Sequence, residues 1–180
     1  MIQGSPGTAA AILARLGEAG VLLDQGKWDD AAAAYRDVKQ SPLAAADPDV
    51  RGRAMEGVGF ALEGKGDRDA ALKAFAEIES AQVKGFIELS LYHQARLLAK
   101  KGEKEKAVEL IKKAEERLKT ASGEAAPTFV KGMLGELHRK VDPASAPKQI
   151  SVGDGPGRGK PQMTKEDIDK LLQQLPKAPK

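Results

Sequence analysis

The stretch Leu62-Glu63-Gly64-Lys65-Gly66-Asp67-Arg68-Asp69-Ala70-Ala71-Leu72-Lys73-Ala74-Phe75 decides the fold, because the chain states its pattern three times. Leucine, glycine, small residue and large residue recur as Leu22, Gly26, Ala31 and Tyr35, as Leu62, Gly66, Ala71 and Phe75, and as Leu98, Gly102, Ala107 and Ile111. Each glycine is placed to end one helix in the left-handed backbone that residues with a β-carbon avoid. The alanine and the large residue four positions on share one face of the next helix. The pattern therefore predicts a helical hairpin made three times.

The glycines lie 40 and then 36 residues apart, a spacing suited to helix-turn-helix units stacked side by side. The phrase resembles the tetratricopeptide repeat over roughly residues 8 to 120. On that resemblance the small residue of each first helix is Ala19, Gly59 and Ala95. The large residue early in that helix is Met55 and Leu91 in copies two and three, with Arg15 in its place in copy one. The implied fold is all-α: a short α-solenoid of about three hairpins.

Around this pattern the breaks are local. Helices are expected over about 8–24 and 28–40, the second stopped by Ser41-Pro42. A third opens at Asp47-Pro48, capped by the aspartate, and runs to about Glu63. Further helices span about 67–80, 83–100 and 103–120. A seventh, from Pro127 to about Lys140, carries Phe129, Val130, Met133, Leu134 and Leu137 and is expected to cover the end of the stack. The domain thus spans 1–140. Residues 141–162, rich in proline and glycine, read as a linker. Residues 163–176 are expected to form a short amphipathic helix with Ile168, Leu171, Leu172 and Leu175 on one side. A linker of that length reaches on the order of 25 Å, so this helix could fold back on the stack or enter a neighbour.

Composition narrows the chemistry. The chain has no cysteine and only 4 % aromatic residues, which removes disulfide and thiolate chemistry and suits close-packed helices. The net charge of +3 is concentrated toward the C-terminal half, where Lys100 to Lys119 alternate with glutamates at helical spacing and read as a solvated face. No apolar run approaches the length of a membrane span, so the membrane enters only through an N-terminal anchor outside this sequence. His93 and His138 read as surface histidines without metal-binding spacing. Gly153 to Pro161 has neither the spacing of a phosphate loop nor that of a dinucleotide fingerprint. Arg158-Gly159-Lys160-Pro161 resembles an AT-hook, the basis of an alternative in which a cytoplasmic adaptor uses its tail on DNA or on another protein.

No catalytic constellation, cofactor site or small-molecule site emerges, and the expected role is non-catalytic binding of a peptide or partner protein. On the repeat resemblance the groove side chains are Leu13, Leu16 and Leu23; Arg53, Glu56, Phe60 and Glu63; and Leu89, Tyr92, Arg96 and Lys100. The mixture of aromatic and arginine side chains is the type that concentrates interface energy. The phrases Ser5-Pro6-Gly7-Thr8-Ala9-Ala10, Glu56 to Glu63 and Leu91 to Leu97 look like the periplasmic region of bacterial ancillary Sec-translocon subunits. Those are membrane-anchored repeat proteins associated with translocon and chaperone partners. That likeness implies a role in envelope protein translocation or assembly at the periplasmic face of the inner membrane; the alternative location is cytoplasmic.

Overall fold

A computed structural model describes residues 7–120 and 128–146. Among them every regular element is a helix: α1 (Ala9–Asp24), α2 (Trp28–Lys39), α3 (Pro42–Ala46), α4 (Pro48–Gly64), α5 (Arg68–Ser80), α6 (Ile87–Lys101), α7 (Lys104–Thr120) and α8 (Thr128–Val141). The fold is all-α. No described helix is long and apolar enough to cross a membrane. The tail calls, Ile168, Leu171, Leu172 and Leu175 among them, and the AT-hook-like segment lie outside the described residues.

The three glycines close their helices alike. Gly26, Gly66 and Gly102 have φ of 72°, 90° and 85°. The amide just after each glycine returns to the repeated leucine: Lys27 N–H to the Leu22 carbonyl at 2.9 Å, Asp67 to Leu62 at 3.0 Å and Glu103 to Leu98 at 3.0 Å. This is the six-to-one bond that satisfies a carbonyl left free at a helix end. The next helix starts at once, and in the second hairpin Asp67 caps it by accepting from the Ala70 N–H at 3.0 Å. The paired small residues Ala19 and Ala31, and Ala95 and Ala107, are fully buried, as are Ala71, Phe75 and Ile111.

Packing follows chain order, with α2, α5 and α1 all against α4, and α6 between α5 and α7. The central helix, α4, is a seat for rings. A β-carbon at Gly52, Gly57, Gly59 or Gly64 would fall inside the ring of Phe86, Tyr35, Phe75 or Trp28 respectively. Four aromatic side chains from α2, α5 and the start of α6 therefore lie directly on the α4 backbone, where each can remove large apolar area from water.

Three local expectations are corrected. Ser41-Pro42 does not simply stop α2; Ser41 accepts from the Ala44 N–H at 3.2 Å and Pro42 opens α3, because a proline is as suited to the first position of a helix as it is unsuited to the middle. Ala44 of α3 joins Ile12, Val38, Val50 and Ala54 in a cluster. That cluster fills the end of the first hairpin, where Arg15 turns outward to Asp37 and Glu18 instead of supplying a core side chain. The fifth expected helix begins at Ile87, not 83, because Gln82 and Gly85 adopt φ of 51° and 82°; Val83 is nevertheless buried. Of the apolar side chains expected on one face of α8, only Val130 and Leu134 are fully buried against α6 and α7, with Leu137 packed beside them, whereas Phe129 is 57 % exposed.

Neither histidine lies on the surface. His93 and His138 are both buried. His138 Nδ1 lies 3.1 Å from Glu115 Oε1, and its Nε2 lies 3.1 Å from Ser145 Oγ. The ring thereby ties α7, α8 and the turn 142–146 together, although that turn had been assigned to the linker.

Candidate functional site

Two adjoining features occupy the side of the molecule formed by α1, α4 and α6. The first is a polar and aromatic network between α4 and α6. Arg96 grips Glu63 with both prongs of its guanidinium, Nη1 donating to Oε1 at 2.5 Å and Nη2 to Oε2. Lys100 donates to the same carboxylate at 3.0 Å. Arg96 Nε also donates to His93 Nδ1 at 3.1 Å. That contact assigns the acceptor role to Nδ1, so His93 Nε2 is the nitrogen that donates, to Glu56 Oε1 at 2.9 Å. The imidazole stacks on Phe75 at 4.8 Å and meets Phe60 and Tyr92 edge-on at 4.9 and 5.3 Å. The Arg96 guanidinium lies 5.9 Å from the centre of the Phe60 ring, within cation–π range.

The network sets the charge state of its members. Partial burial alone would raise the Glu63 carboxyl, but the hydrogen bonds and charges of Arg96 and Lys100 outweigh it and hold the pKa at about 2. Each hydrogen-bonding atom named here has a partner within the network.

The second feature is an open cleft of about 410 Å³ between α1 and α4. Leu13, Leu16 and Gly17 of α1 form one wall; Arg53, Glu56, Gly57 and Phe60 of α4 form the other, with Tyr35 between them. Leu13 is 51 % exposed, and Gly17 has nothing within 4 Å of where a β-carbon would stand. Arg53 is exposed. Burial pushes the Tyr35 phenol up, and the carboxylates of Asp24 and Glu56 add to the shift, so Tyr35 remains a hydroxyl donor at neutral pH.

The expected groove residues divide accordingly. Leu13, Leu16, Arg53, Glu56 and Phe60 line the cleft; Glu63, Arg96 and Lys100 belong to the network, and Tyr92 flanks it. Leu23 packs partly buried on the first hairpin core, and Leu89 packs on the core shared by α6, α7 and α8, as does part of Tyr92. Sequence reading missed Gly17, Tyr35, Gly57 and His93. Tyr35 was recognised only as the large residue of its copy, and the 37-residue separation of Glu56 and His93 leaves no local trace.

A further arrangement has the outline of a hydrolytic triad, with Glu115, His138 and Ser145 in line. The Ser145 hydroxyl, however, donates to Asp142. It therefore accepts from the ring and does not offer it a proton, the reverse of what nucleophile activation needs. Among the described residues no cluster of three or more His, Asp or Glu side chains is placed to hold a metal ion.

Compared with known protein families and with curated proteins, the chain matches no family model and no curated relative.

Proposed function

We propose that the chain is a tetratricopeptide-like α-solenoid that acts without catalysis as a protein-interaction scaffold, taking a peptide or an exposed segment of a partner into the cleft between α1 and α4. The observation that carries this reading is the cleft itself. Its walls are leucine, phenylalanine, tyrosine and the open backbone of Gly17, with Arg53 and Glu56 beside them, and it adjoins the hydrogen-bonded network of Glu56, His93, Arg96 and Glu63. A preorganised apolar recess with a few polar groups at its edge is what peptide recognition needs. The resemblance of its sequence phrases to envelope translocation proteins favours a role at the periplasmic face of the inner membrane, with a chaperone or an emerging polypeptide as the class of partner.

The test uses Gly17. A β-carbon there meets nothing within 4 Å, so a leucine is expected to grow into the cleft, and replacing an exposed helical glycine removes a helix penalty of up to about 1 kcal/mol. Gly17→Leu is expected to remain fully helical, to melt no lower than the parent, and to lose the proteins that the parent retains from a bacterial envelope extract. Equal recovery by both proteins would overturn the cleft as the binding site.

A further inference from the structure

His138 is a buried titratable side chain that the cleft does not use, and the hydrogen bonds around it fix how many protons it holds. The residue is 1 % exposed. Its Nδ1 faces Glu115 Oε1 of α7 and its Nε2 faces Ser145 Oγ of the turn 142–146, both at 3.1 Å. A carboxylate oxygen only accepts, so Nδ1 donates. Ser145 has one hydroxyl proton and gives it to Asp142 Oδ2, so its oxygen accepts and Nε2 donates as well. Both ring nitrogens donate only in the imidazolium. His93 is the contrasting case: Arg96 Nε donates to its Nδ1, and a single ring proton, on Nε2 toward Glu56, completes its bonds.

The surroundings suit a positive ring. The Asp142 carboxyl is held below its ordinary value, first by the Ser145 hydroxyl and further by the Ser145 and Ala144 amides and the charge of His138. Among the basic groups nearby, Lys140 of α8 pairs with Glu136, Arg139 lies along Gly135, and Lys112 of α7 lines a cleft with Asp142. From α6, the other helix packed on α8, Tyr92 joins the shared apolar core. Independently of the cleft, we propose that His138 is a pH-sensitive latch for α8. With both protons the ring ties α7, α8 and the turn together; with one it must give up a bond. A bare Nδ1 would face the Glu115 carboxylate, and a bare Nε2 would be met only by turning the Ser145 hydroxyl away from Asp142. The latch is therefore complete at the acidic side of the histidine range and is lost as pH rises through it, so that α8 opens more readily from the side chains of α6 and α7 beneath it.

The experiment follows the full chain from about pH 5.5 to about pH 8.5, either side of the ordinary histidine range. The chain has two histidines, so ring-nitrogen NMR reports the protons of each, while hydrogen exchange, corrected for the intrinsic effect of pH, reports the opening of α8. At the acidic end His138 should carry both ring protons. As it loses one, protection across α8 should fall about tenfold relative to α4, the effect of one hydrogen bond to a charged group. Glu115→Gln should flatten this dependence, because an amide can either accept from Nδ1 or donate to it. Ser145→Ala, at an exposed turn position, should flatten it too without disturbing the core. A ring that holds a single proton at the acidic end would overturn the latch. So would α8 protection that stays level while the ring loses its proton, or a fall that persists unchanged in both variants.

Discussion

Gly57 and Gly59 carry rings, whereas Gly17 carries nothing, and that contrast separates two effects of the same substitution. Alanine favours a helix over glycine by roughly 1 kcal/mol. At Gly17 this gain is free of any clash, and Gly17→Ala should raise stability by about 0.5–1 kcal/mol in urea titrations. At Gly57 and Gly59 the new methyl would occupy the Tyr35 and Phe75 rings, and displacing a packed ring should leave a net loss of roughly 1–3 kcal/mol. Gln94 offers the opposite case. Its side-chain Nε2 is buried without a hydrogen-bond partner among the described residues, so Gln94→Leu should raise the midpoint by the equivalent of about 1 kcal/mol; a fall would mean that the amide has an acceptor. Glu63 sets a pH dependence with a definite sign. Its carboxyl is lowered in the folded protein from 4.5 to about 2. The stability it contributes is therefore complete above about 4.5 and is lost as pH falls toward 2. Melting temperatures of the parent and of Glu63→Gln should converge over that window, and parallel curves would contradict the assignment.

At the level of elements, legibility in the sequence follows the range over which each rule acts. The turns at Gly26, Gly66 and Gly102 could be read because a helix stop is written in a handful of consecutive residues, and the structure closes all three by the same bond. The buried alanines followed from the same phrase. Harder cases were those in which one residue has two local meanings. Pro42 ends α2 and begins α3, and only the core position of Ala44 shows why the chain uses it as a start. Val83 is buried as a helix residue would be, yet Gln82 and Gly85 keep its segment out of the helix. The cleft was half legible. Leu13, Leu16 and Arg53 were expected on it, but Tyr35 reaches it from α2, and His93 fixes Glu56 by a contact between helices. The α8 element depends on such a contact as well. Replacing His138 with alanine removes a buried side chain bonded to both Glu115 and Ser145, and it should cost roughly 2–4 kcal/mol. Hydrogen exchange across α8 should accelerate more than across α4, and uniform acceleration would show that α8 does not open separately.

Taken as a whole, the described helices pack on partners close in the chain, and α4 receives side chains from three others. Packing between helices close in the chain gives short sequence separations between contacting residues, a topology associated with fast folding. One consequence of the ring seats concerns how that folding can be watched. Trp28 is the chain's only tryptophan, and its indole lies across Gly64, at the junction of α2 and α4. Intrinsic fluorescence therefore reports on a single joint, while circular dichroism averages every helix. If the packing around α4 makes the assembly melt as one body, the two signals should share a midpoint in urea. Should the α7–α8 end loosen first, the dichroism would begin to fall while the emission was still that of the native protein. The molecule thus carries a built-in optical marker at its central joint.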